Sequence, residues 1–134
     1  MLAVSVALYS LVGIALISMG YRYITTIPPI DYHADILSGV SVTDETVLIL
    51  GALYKVMGGA FAALGAGMLV IAVFGVRADL LWAKLALLLM SGVVGYFATM
   101  VPRLVEAETD VRTPWRIAAG LTAVSALAFV LAFF

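Results

Sequence analysis

Lys55 is the single formal charge in the apolar stretch from Val47 to Val76. An ionised side chain inside an apolar helix is costly unless it is paired, so its position calls for a partner. When the apolar stretches of the chain are laid antiparallel, Tyr54, Tyr96, Thr99, Arg103 and Arg116 fall in the same half as Lys55. Tyr54, Lys55, Tyr96, Arg103 and Arg116 would then line a pocket for the phosphate or carboxylate head of a lipid, quinone or other amphiphile. Tyr32 and His33 of the first polar loop would cover it. The competing reading sends Lys55 along its aliphatic stem to the headgroup level, since it lies only a turn or two beyond Leu50.

The other polar groups carry less chemistry. His33 lies between Asp31 and Asp35, a proton-transfer or metal combination in principle, but a histidine in a polar loop reads as solvated. Glu106, Glu108 and Asp110 have the charge of a hard-cation site without the spaced ligands and turn glycine of a calcium loop. They read as a solvated acidic loop. The chain has no cysteine, which excludes disulfides, thiolate metal sites, iron–sulfur clusters and cysteine nucleophiles. No catalytic residue, metal or cofactor is expected, and a net charge of -1 gives nucleic acid nothing to hold.

The elements that must position these residues are set by hydropathy. Of 134 residues, 65% are hydrophobic and 11% charged, far from the roughly one quarter charged of soluble domains. A crossing of the hydrocarbon needs about 20 apolar residues. The sequence predicts an all-α membrane protein, an antiparallel bundle of four transmembrane helices over residues 2–20, 44–75, 80–101 and 114–133, in one domain covering 1–134. The first stretch has neither a basic leader nor a small-residue cleavage site and is expected to be retained. Tyr21, Arg22 and Tyr23 mark its exit to the interface. Pro28, Pro29 and Gly39 break the loop over 21–45, leaving room for one or two interfacial turns over 31–37. Ser41 or Thr43 is placed to cap the second helix, with Asp44 and Glu45 in its first turn. Pro102 is expected to close the third helix, and Thr113 to cap the fourth ahead of Pro114. Trp82 with Lys84, and Trp115, read as interface anchors.

The second helix also carries Gly51, Gly58, Gly59, Ala62, Ala63, Ala66 and Gly67. Small residues about four apart let helix backbones approach closely, and here they occupy more than one face. One face suffices for packing within the chain. The other leaves room for another membrane subunit or a second copy.

Both termini should lie on the side of the short Arg77 turn. A count of basic residues, Arg22, Arg103, Arg112 and Arg116 against Arg77 and Lys84, favours cytoplasmic long loops. Small bacterial four-helix proteins often keep both termini inside, and on that ground cytoplasmic termini in the inner membrane are expected.

Several small membrane families are excluded by their motifs. The first helix lacks the glutamate of small multidrug transporters. The chain has no asparagine, which fluoride channels and the glutathione-linked membrane enzymes both need. Quinone-coupled disulfide oxidases need cysteines. The basic residue followed by a glycine pair, Lys55-Val56-Met57-Gly58-Gly59, together with the four-helix layout, resembles bacterial membrane proteins of the domain-of-unknown-function, DoxX-like type, with lysine where that group has arginine. The resemblance covers most of the chain and implies no catalytic residues. The leading expectation is a non-catalytic accessory or assembly subunit in contact with lipids and other membrane proteins. The alternatives are an amphiphile-binding module and, last, a small transporter.

Overall fold

The computed structural model describes all 134 residues, and every regular element is helical. Helix α1 spans Leu2–Thr25. It outruns the expected end at residue 20, because Tyr21–Tyr23 stay helical and Thr25 Oγ1 donates to the Tyr21 carbonyl at 2.9 Å. Pro28 and Pro29 then forbid continuation, and a short helix α2, Tyr32–Leu37, follows. Helix α3, Asp44–Val70, starts where Thr43 Oγ1 accepts the Thr46 N–H at 3.3 Å. It continues as a π-helical segment, Ile71–Val76, in which Ala72, Gly75 and Val76 turn inward.

Helix α4 covers Leu81–Thr109 and departs from the sequence expectation. It runs through Pro102 rather than stopping near residue 101, because the connection beyond it holds its last turns. Thr113 Oγ1 donates to the Pro102 carbonyl at 2.8 Å, and Asp110 ends the helix in a left-handed conformation with φ 55. Thr113 therefore tethers α4 instead of capping the next helix. Helix α5, Trp115–Leu131, begins directly after Pro114.

Helix α1 is the hub, with α3 on one flank and α5 on the other. Helix α4 packs on α5 and meets the π-helical segment. Tyr9, Met68 and Leu87 are fully buried among these helices, and Ser5 Oγ donates to the Ala128 carbonyl at 2.7 Å, tying α1 to α5.

The α1–α3 seam is built on glycine. Gly13 faces Gly65 and Gly20 faces Gly58, and a Cβ on any of the four would run into the opposite backbone. Both helices thus place their contact glycines seven residues apart, so the seam stays in register over two turns. The small residues singled out in α3 divide between two faces. Gly58 and Ala62 lie against Gly20, Gly51 near Pro28 and Gly67 near Met90, whereas nothing lies within 4 Å of where a Gly59 Cβ would stand. Ala63 and Ala66 are exposed beside it.

The outer surface is apolar: Leu89 and Ile117 are each 68% exposed, and Leu48, Leu53 and Phe74 also face outward. Three helices, α1, α3 with its π extension, and α4, are long and apolar enough to cross a membrane, and α5 is a shorter apolar helix. A surface of this kind suits hydrocarbon, where helices satisfy their own backbone groups. These features are consistent with a membrane protein.

Candidate functional site

The polar side chains collect at the end of the bundle that carries the two longer connections. The chain turn at Pro28 and Pro29 folds α2 back over the ends of α1 and α3. Arg22 Nη2 meets Asp31 Oδ1 at 2.6 Å, and Tyr54 Oη lies 2.5 Å from His33 Nδ1. Tyr23 stacks edge-on against Tyr54 with ring centroids 5.2 Å apart. His33 is thus half-buried in a tyrosine cluster rather than solvated. Burial pushes its pKa below the usual histidine value, against the smaller upward pull of Asp31. Burial likewise raises the Tyr32 hydroxyl, with Tyr54 and Asp31 adding to it, so Tyr32 remains a proton donor.

Across from α2, Glu106 organises the α4–α5 connection. Its Oε2 accepts the Thr113 N–H at 2.8 Å, and its Oε1 accepts from Arg116 Nη2 at 2.9 Å. Arg103 and Arg116 both lie over the Trp115 ring, at 5.6 and 4.5 Å from its centroid. Glu106 is not the solvated acid that the sequence predicts. It is instead a structural acceptor, 23% exposed, while Glu108 and Asp110 stay exposed.

Between these two groups lies a cleft of about 310 Å³, lined by Asp31, Tyr32, Arg112, Thr113, Arg116 and neighbouring apolar atoms. Asp31 is paired with Arg22, and Arg116 with Glu106. Arg112 is exposed, with no carboxylate within ion-pair distance. The cleft can hold an anion, with guanidinium groups and a phenol as donors.

The residues singled out by sequence do not meet in one pocket. Of Tyr54, Lys55, Tyr96, Arg103 and Arg116, the structure brings together Arg103 and Arg116, at Trp115. Tyr54 turns inward to His33, and Lys55 faces outward. Tyr54 and Lys55 point about 100° apart on α3, and here that turn leaves Tyr54 buried in the bundle and Lys55 on its outer surface. Tyr96 is exposed on the outside of α4.

The formally charged side chain that is buried is Lys84, at the opposite end and 4% exposed. Its Nζ donates to Asp79 Oδ1 at 2.5 Å and to the Ala132 carbonyl at 2.6 Å. It also lies 4.5 Å from the Phe133 ring centroid. Lys84 is a latch between the start of α4 and the end of α5, not a headgroup anchor. An aspartate just before a helix and a lysine one turn into it hint at such a pairing, but the carbonyl of residue 132 leaves no trace in the sequence. No family model, curated protein or solved structure matches this chain.

Proposed function

We propose that the chain crosses a bacterial inner membrane four times and serves as a non-catalytic accessory subunit, packing against a larger membrane protein through the outer face of α3. The observation that carries this reading is the division of small residues in α3. Gly58 and Gly65 are filled by α1, whereas Gly59, Ala63 and Ala66 form a second close-packing face with no element of the chain on it. In hydrocarbon, apolar helices gain little by merely leaving lipid, so small residues at helical spacing are what permit close contact. The connections outside the apolar helices are too short to form a soluble domain of their own, which favours a role within the bilayer. Cytoplasmic termini remain the preferred orientation.

The test is co-purification in mild detergent from native membranes. The wild-type chain should bring down a stoichiometric membrane protein. The double variant Gly59→Leu, Ala63→Leu should lose it while keeping the helical content and elution volume of the folded monomer. Recovery of the wild-type chain as a free monomer alone would count decisively against the proposal.

A further inference from the structure

The cleft between α2 and the α4–α5 connection has a charge balance that selects a ligand class. Around it, Arg22 offsets Asp31 and Glu106 offsets Arg116. Arg112 is the lining charge left without a partner. The Tyr32 hydroxyl, also on the lining, makes no hydrogen bond within the protein, unlike Tyr54 beside it. The Thr113 N–H and hydroxyl are consumed by Glu106 and Pro102, so the binding groups are side chains and not the start of α5. Ile117, one turn along, is exposed and continues the cleft onto an apolar flank. Trp115 sits beside it, a residue type enriched at the membrane–water boundary.

We propose that this cleft binds a phosphate group bearing a single negative charge, with Arg112 and Tyr32 as its donors and Arg116 as the flanking cation. One uncompensated cation matches one anionic charge. Guanidinium is the side chain whose geometry fits phosphate oxygens in pairs. The position supports two sources of the same chemistry: the phosphodiester of a phospholipid, whose acyl chains would follow Ile117 down the outside of α5, or the dihydrogen form of free phosphate from the aqueous side. The site is separate from the outer face of α3, and either can fail without the other.

The purified full-length chain in nanodiscs of phosphatidylcholine doped with phosphatidylglycerol provides the test, with bound lipid counted by native mass spectrometry. Arg112→Gln is the informative variant, because Arg112 is exposed and holds nothing in the fold. It should lower retention of phosphatidylglycerol about tenfold, the size of one charge-assisted hydrogen bond. Tyr32→Phe should lower it less. Lys55→Gln, which removes an outward-facing cation elsewhere, should leave retention unchanged.

In a second arm, inorganic phosphate is titrated against the wild type and Arg112→Gln in phosphatidylcholine alone. Saturable phosphate binding lost in the variant, with no preference for phosphatidylglycerol, would support the site and assign it to a soluble anion. Equal loss in Arg112→Gln and Lys55→Gln would reduce the effect to general surface charge and overturn the proposal. So would indifference of both lipid and phosphate to Arg112→Gln.

Discussion

At the scale of single residues, the polar chemistry of this chain is decided by what lies one side chain away. His33 illustrates the consequence for pH. Its native pKa lies below 6.5 because burial disfavours the imidazolium more than Asp31 favours it. The unfolded or undocked segment therefore binds a proton more readily than the docked one. Docking strength is complete above about pH 6.5 and is lost as pH falls through the window between that value and the lowered native one. Amide hydrogen exchange of residues 32–37, corrected for intrinsic rate, should show protection falling on acidification below pH 6.5. His33→Phe, which keeps an aromatic ring but cannot titrate, should remove that slope. An identical slope in both proteins would show that Asp31, Asp35 or another carboxylate governs the segment. The sequence made His33 visible but not its setting, because Tyr54 lies 21 positions away and reaches it through the turn at Pro28 and Pro29. The two lysines teach the same lesson. Lys55 drew attention by lying within an apolar stretch and faces outward, whereas Lys84 near a helix start proved buried. Depth along a helix can be read from spacing, but the direction a residue faces depends on which neighbours pack.

At the scale of elements, the α1–α3 seam makes adjacent glycines unequal. A Cβ on Gly58 would stand 2.6 Å from the Gly20 carbonyl oxygen and 2.8 Å from Ile24, whereas one on Gly59 meets nothing within 4 Å. Overpacking a fitted contact costs about 1–3 kcal/mol and sometimes more, since backbone rather than a flexible side chain must move. Gly58→Leu should accordingly destabilise the folded chain by roughly 3 kcal/mol. Gly59→Leu should be neutral or stabilise it by up to about 1 kcal/mol, since a helix-interior glycine is removed without a clash. Unfolding in mixed detergent micelles, followed by circular dichroism, measures both, and equal losses would refute the seam as described. The two small-residue faces of α3 were legible from the sequence. Which of them meets α1 was not, because both have helical spacing. The matching information sat in α1, where Gly13 and Gly20 repeat the interval of Gly58 and Gly65. Pro102 was misleading for a different reason. Proline removes one backbone hydrogen bond and commonly ends a helix, but Thr113 and Glu106 hold the turns beyond it from outside.

At the scale of the whole molecule, the number of crossings rests on α5. Its 17 residues rise about 26 Å, somewhat short of a hydrocarbon core about 30 Å thick. Two latches compensate. Arg116 at one end of α5 is held by Glu106 near the end of α4, and the Ala132 carbonyl at the other is held by Lys84 near its start. Between Lys84 and Glu106, α4 rises about 33 Å, so α5 is fastened alongside a helix long and apolar enough to cross. If α4 spans the slab, α5 is carried across with it, and the carboxyl terminus emerges beside the Arg77 turn. The absence of cysteine makes this testable without a background of native thiols. Single cysteines at Ser38, Arg77, Glu108 and Phe134, all exposed positions, can be probed in sealed vesicles with a membrane-impermeant maleimide. Ser38→Cys and Glu108→Cys should label from one side, and Arg77→Cys and Phe134→Cys from the other. Labelling of Phe134→Cys together with Glu108→Cys would mean that α5 lies on the bilayer surface and that the Lys84–Ala132 latch does not form in the membrane. Lys84→Met supplies the internal control: it removes the latch while leaving α5 apolar, so an unchanged pattern would assign the fourth crossing to hydropathy and a reversed one to the latch.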